Sequence, residues 1–304
     1  MVNVGYAQSD EEELQRTKNV SDTILIPTRQ LIMPEPFDAQ AALLKLFPGR
    51  YYKMKRDFKN ELINWTCKTC KPVKYADVNE DAASEFPYAA GVATRLINVI
   101  DFKDAKGTSF KIMFINHSAF DEEGNQTSRF TGGLLGLAKF NSSPQGWKLT
   151  FFQPAIGAYG AFSSCPAPKA VLIGEDQYAF MIKHSNGGGG GPFDGSFFLM
   201  VGAGGKYQEQ LQGYGIERTA VSEEEGLSSW ISEYNVPVTA KKYFRDVIVK
   251  TKGIYCSGDL EGLPAELTTK LKKGKNGQFS FSRRYLYKAG KGYQPQQIEQ
   301  LIIR

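Results

Sequence analysis

Four cysteines and two histidines are the side chains in this 304-residue chain best suited to covalent or metal chemistry, and their spacing limits what they can do. Cys67-Lys68-Thr69-Cys70 sets two thiols at the separation of a dithiol redox motif, whose attacking thiolate needs a helix N-terminus beside it. Here an apolar stripe precedes the pair. Tyr51, Met54, Phe58, Leu62 and Trp65 follow a 3.6-residue period and predict a helix that stops before Cys67. The negative end of that helix would disfavour a thiolate, so a structural disulfide or plain thiols is the better reading. Cys165 and Cys256 are the candidates for a second disulfide. Two bridges would fit an oxidising compartment, whereas four buried thiols would fit the cytosol equally well. One Cys-x-x-Cys is half a tetrahedral zinc site, with only Cys165, Cys256, His117 and His184 left to complete it; no metal and no cofactor is expected.

Asp77, Asn79 and Asp81 match the first three ligand positions of a calcium loop. Ala82 then stands where that loop needs glycine and Tyr88 where it needs a bidentate glutamate, so a solvated acidic turn is expected instead. His117-Ser118 and His184-Ser185 juxtapose a base and a hydroxyl, but neighbours on a strand point to opposite faces. Gly187–Gly191 lacks the strand-glycine-helix setting that cradles phosphate and reads as a hairpin loop, with a gate over a partner site as the alternative. No nucleophile elbow, zinc helix or phosphate loop occurs. A carboxylate hydrolase acting on a glycan needs no histidine and would draw on acids such as Asp101, Asp121, Asp194 and Asp246.

Charge is more informative than any of these motifs. From Lys45 to Lys74 nine basic residues face two acids, and from Lys270 to Lys291 eight basic residues face none, giving +7 and +8 within an overall +5. The remainder therefore carries −10. Such polarity points to a macromolecular, anionic partner such as an acidic protein surface or acidic glycan, with nucleic acid less favoured. Candidate contacts are Arg50, Lys53, Lys55, Arg56, Lys59, Lys272, Lys273, Lys275 and Arg284. Phe279, Phe281, Tyr285 and Tyr287 interleave the second basic segment, but their alternation assigns them to the core, away from any base-stacking platform.

Positioning these groups falls to β-structure. A chain with 41% hydrophobic residues and 31 glycines, above the usual share of roughly 7%, fits a globular protein with frequent turns. Period-two alternation predicts strands near 92–102, 108–116, 129–140, 147–153, 169–174, 177–184, 195–203, 206–214, 228–235, 243–251 and 277–288. Asp104–Gly107 and Ser143–Gly146 read as hairpin turns within them. Asp38 should cap a helix carrying Leu43, Leu44, Leu46 and Phe47, halted by Pro48-Gly49, and a further helix is expected near 263–273.

The expected organisation is a polar, irregular segment at 1–36, a helical basic segment at 37–75 and an all-β domain at 76–304. Its fold would be mainly β, an antiparallel meander forming a β-sandwich or barrel, with a small propeller as the third option. No apolar run reaches the ~18 residues of a membrane-spanning helix. Val4-Gly5-Tyr6-Ala7 places small residues as a signal peptidase would require, although what precedes them is short for a full leader. Five Asn-x-Ser/Thr triplets, at Asn19, Asn64, Asn116, Asn125 and Asn141, would matter only on export. Together these features favour a secreted or periplasmic, non-enzymatic binding protein, against a glycan hydrolase or a nucleic-acid-binding protein.

Overall fold

The computed structural model describes residues 17–53, 61–119, 130–188, 191–220, 226–271 and 274–304. The chain is mainly β, with antiparallel sheets, a curled half-barrel sheet and a small N-terminal helix. It divides into two compact units, Met1–Ala167 and Pro168–Arg304. The expected all-β stretch from 76 to 304 thus contains a boundary: strands on either side of 167 join separate sheets. Alternation identifies strands without showing which of them share a sheet.

Unit 1 contains β1 (Lys18–Asn19), β2 (Ile32–Met33), β3 (Arg50–Lys53), β4 (Glu61–Thr66), β5 (Val73–Tyr75), β6 (Ser84–Phe86), β7 (Val92–Lys103), β8 (Ser109–Ala119), β9 (Gly133–Ser143), β10 (Gly146–Gln153) and β11 (Ala158–Tyr159). Its main sheet runs β1-β4-β7-β8-β9-β10-β2, antiparallel except for the parallel pair β1-β4. Both expected hairpins form. Asp104 Oδ1 accepts from the Lys106 and Thr108 amides, and Gly107 supplies the left-handed backbone (φ +81) that turns β7 into β8.

Helix α1 (Ala39–Leu46) is capped as its sequence requires, with Asp38 Oδ1 accepting from the Ala41 amide at 3.0 Å. Leu43, Leu46 and the following Phe47 are fully buried, in one core with Trp65, Phe140 and Phe152. Trp147 and Leu149 point inward as their alternation implies, but the register shifts between Leu149 and Phe151. That bulge passes the inward position to Phe152 and leaves Phe151 half-buried.

The helix expected over residues 51–65 is replaced by an antiparallel pair. β3 meets β4 with Tyr51 opposite Ile63 and Lys53 opposite Glu61; Met54 and Phe58 lie outside the described residues. In β4, Leu62, Ile63, Asn64 and Trp65 are all buried, so both faces are covered and no alternation marks it as a strand. The helical spacing of its apolar residues is coincidental.

Unit 2 is a single eight-stranded antiparallel sheet in sequence order: β12 (Lys169–Gly174), β13 (Gln177–Gly187), β14 (Phe193–Ala203), β15 (Lys206–Thr219), β16 (Ser229–Asn235), β17 (Val247–Tyr255), β18 (Gly277–Lys288) and β19 (Gly292–Ile303). Only one turn of the expected late helix forms, α2 (Ala265–Thr268). β19 has no counterpart among the expected strands, because its glutamines and Pro295 mask the alternation, as is usual for an edge strand. Odd-numbered residues of β17 and β18 face the core, among them Val247, Val249, Phe279, Phe281 and Tyr285. The sheet curls until the start of β19 touches β15, where a Cβ on Gly292 would lie 2.4 Å from the Gln210 carbonyl.

Candidate functional site

Cys67 and Cys70 form a disulfide with Cα atoms 5.4 Å apart, in the turn after β4. The turn holds the first strand in place, since the Lys68 amide donates to Asn19 Oδ1 at 3.1 Å beside the β1-β4 pair. No helix terminus among the described residues adjoins the bridge. Cys165 and Cys256 are buried and neither forms a disulfide, so the expected second bridge is corrected to two thiols. Alkylating the unfolded, unreduced protein should therefore add two labels, rising to four after reduction. Mass spectrometry reads this directly, and four labels without reductant would remove the bridge.

His117 is fully buried against Phe47 (4.9 Å) and Phe86 (4.8 Å). Trp65 Nε1 donates to Thr94 Oγ1 at 2.8 Å, and the Thr94 hydroxyl lies 2.8 Å from His117 Nδ1. Indole only donates, so Thr94 accepts from Trp65; with the ring proton on Nε2, toward the Pro154 carbonyl, the Thr94 hydroxyl is the donor to Nδ1. Nε2 faces the Pro154 carbonyl without forming a full hydrogen bond to it. Burial pushes the His117 pKa down to about 3, which keeps the ring neutral at physiological pH. Ser118 takes the Arg95 Nη1 hydrogen bond instead, at 3.0 Å, and His184 packs edge-on to Phe198 at 6.1 Å.

Asp77 is a staple between loops. Its Oδ1 accepts from the Asn79 amide and side chain, its Oδ2 from the Gly132 amide, and Asn79 Nδ2 also donates to the Gly160 carbonyl. Its oxygens are turned to protein donors, and among the described residues no group of three or more His, Cys, Asp or Glu is arranged to hold a metal ion. Asn64 and Asn116 are buried, so neither triplet can carry a glycan in the folded chain. Of Gly187–Gly191, Gly187 ends β13 opposite Phe193 of β14, and 189–190 lie outside the described residues.

The candidate carboxylates fall in both units. Asp101 pairs with Lys111 at 2.5 Å in unit 1, whereas Asp246 holds Lys241 at 3.1 Å and Arg284 at 3.4 Å in unit 2. Partial desolvation raises the Asp194 pKa; Arg218 opposes the shift, and Glu261 and Asp259 add to it. Asp121 lies outside the described residues. Beside Asp194's strand, Arg218 is buried with Asp259, Nη2 to Oδ1 at 3.3 Å.

Of the candidate cations, Lys55, Arg56, Lys59, Lys272 and Lys273 fall outside the described residues. Lys53 pairs with Glu61 at 3.2 Å, Arg50 lies over the Tyr52 ring, and Arg284 is shared between Asp246 and Glu299. Lys275 is exposed in the turn before β18. Phe279, Phe281 and Tyr285 are 3%, 7% and 4% exposed, which leaves no stacking platform there for nucleic-acid bases.

A different set of residues converges on the outward face of β16–β19. Register places Ile231, Lys252, Ser280 and Ile302 in one row across four strands, with Ile254 beside Gln278 in the next. Ile231, Ile254 and Ile302 are 47%, 40% and 49% exposed. A shallow hollow of about 380 Å³ lies there, lined by Lys252, Ile254, Ser280, Ile302 and Arg304 among others. Lys250 and Lys252 are exposed and form no ion pair with any described residue, although Glu233 sits opposite Lys250 in the ladder. The alternation Val247-x-Val249-Lys250-Thr251-Lys252 could have located these lysines on the solvent side. Nothing in the sequence distinguishes the exposed isoleucines from core ones.

No helix among the described residues is long and apolar enough to cross a membrane. No protein-family model, curated protein or solved structure matches the chain.

Proposed function

We propose that this is a non-enzymatic binding protein of the cell envelope or extracellular space, whose unit 2 docks an acidic protein surface on the outward face of β16–β19. The observation that carries the reading is the exposed row of Ile231, Lys252 and Ile302 with Ile254, Lys250 and Arg304 around it. Contiguous exposed apolar side chains mark interaction sites, and unpaired lysines around them select a negatively charged partner. The Cys67–Cys70 bridge supports an oxidising compartment.

Poly-glutamate peptide and heparin are suitable probes for the two kinds of anionic partner. Binding to poly-glutamate should be measurable at low salt, weaken as salt rises, and fall at least about tenfold in the double variant Lys250→Glu/Lys252→Glu. Equal binding by the variant, or no binding to poly-glutamate, would defeat the proposal. Preference for heparin with the same loss would move the partner class to acidic glycan.

A further inference from the structure

The turn after β11 breaks a local rule of the backbone. Ala161 and Ser164 bridge as a two-residue hairpin, with the Ser164 amide donating to the Ala161 carbonyl at 3.0 Å. Both residues between them are left-handed, Phe162 at φ +52 and Ser163 at φ +54. Such a turn favours asparagine and glycine, and a bulky aromatic residue is strained in it. Strain of this kind persists only where surrounding structure imposes it, and it concentrates at functional positions.

The imposing structure lies beneath the turn. Asn116, buried in β8, donates through Nδ2 to the Ser163 carbonyl at 3.1 Å and accepts at Oδ1 from the Cys165 amide at 2.7 Å. The Ser163 amide donates in turn to the Thr131 carbonyl at 2.8 Å. What these three hydrogen bonds hold out to solvent is a ring. Phe162 is 56% exposed and Phe130, next to Thr131, is 57% exposed; no other phenylalanine among the described residues is exposed. Asn79 Nδ2 donates to the Gly160 carbonyl at 2.8 Å, which sets the loop of Glu80 and Asp81 beside the turn. Both acids are exposed, and neither is paired with a cation among the described residues. Unit 1 therefore carries a fixed aromatic knob with an acidic flank.

Unit 2 carries the complement. The hollow of about 380 Å³ on the outward face of β16–β19 is lined by Ile254 and Ile302 with Lys252 and Arg304, and Lys250 stands two residues along the same face of β17. A cavity of roughly 150 Å³ is enough to hold a benzene ring. A side chain already fixed in place loses little freedom on entering an apolar pocket, and acids beside the ring would meet the lysines beside the hollow.

We infer, resting on the reading of β16–β19 as a face for an acidic partner, that this partner is a second copy of the chain: the Phe162 turn of one molecule seats in the β16–β19 hollow of the next. The two patches differ, so the contact is heterologous and builds open chains or a ring, not a two-fold dimer.

Sedimentation velocity tests this. With a Kd of about 100 µM or tighter, the weight-average coefficient of the parent chain should rise between about 10 and 500 µM and pass that of a dimer. Phe162→Asn and Lys250→Glu/Lys252→Glu should each stay monomeric. Their equimolar mixture should form a dimer and go no further, since one variant supplies only the hollow and the other only the knob. Because asparagine suits the turn, Phe162→Asn should melt no lower than the parent; a Tm lowered by more than about 4 °C would mean that the ring packs within its own unit, and would overturn the inference. So would a parent chain that is monomeric at about 500 µM, single variants that associate as the parent does, or a mixture that remains monomeric. Poly-glutamate separates the two readings. A parent that binds it without self-associating keeps the acidic-partner face and removes the second copy, whereas a parent that does neither removes both.

Discussion

Asp259→Ala will destabilise the chain by about 3–5 kcal/mol, because it strands a buried guanidinium. Arg218 is 5% exposed and reaches Asp259 Oδ1 through Nη2 and the Glu261 carbonyl through Nη1, while Asp259 Oδ2 accepts from the Ser228 amide at 2.8 Å. Ser228 Oγ in turn donates to the Asp259 carbonyl and accepts from the Cys256 amide, so one carboxylate organises residues from β15, the start of β16 and the loop after β17. Trp230, the only tryptophan of unit 2, lies 5.9 Å from the Arg218 guanidinium and reports the transition by its emission. Urea denaturation should show a lower midpoint at unchanged slope. The double replacement Arg218→Met/Asp259→Leu should recover most of the loss, since swapping both ions for apolar groups is often neutral or better. A single variant within about 1 kcal/mol of the parent would show that the pair is solvated and that the loop is held by backbone contacts alone.

Acid should weaken unit 1 through His117. Its pKa in the folded chain is held near 3 by burial, against an ordinary value of 6.5. Below pH 6.5 the unfolded chain takes up a proton that the folded chain refuses, so stability is complete above 6.5 and is lost as pH falls toward 3. The slope is about 1.4 kcal/mol per pH unit, or about 3 kcal/mol by pH 4. His117→Gln should be less stable at neutral pH, because Thr94 loses its ring partner, but its stability between pH 6.5 and 4 should fall less steeply than the parent's. Emission of Trp65, which donates to Thr94, follows the event locally. Parallel profiles for the two proteins would mean that folding does not depress the His117 pKa.

How far the sequence could be read depended on whether a strand has one solvated face. β7 through β10 and β12 through β18 show alternation or turn chemistry, and their positions could be anticipated to within a few residues. β4 could not be, because both of its faces are covered and its apolar residues happen to fall at helical spacing. β19 was hidden by the opposite cause, a run of glutamines with few apolar residues to mark the inward face. The local disulfide was legible because only two residues separate its cysteines, whereas Cys165 and Cys256 looked like a pair only while they could be assigned to one domain. The hollow of unit 2 depends on pairing register across the curl of the sheet, which has no counterpart in linear spacing.

That curl stops short of closure, so β12 and β19 end the sheet as rims, each with a strand partner on one side only. β19 begins at Gly292 in a left-handed conformation, contains Pro295, which has no amide hydrogen, and is interrupted twice by register slips opposite Arg284 and Phe281. Each interruption shortens the length over which a second molecule could zip onto the rim. The irregularities of this strand thus work against edge-to-edge pairing along one rim of an unfinished barrel.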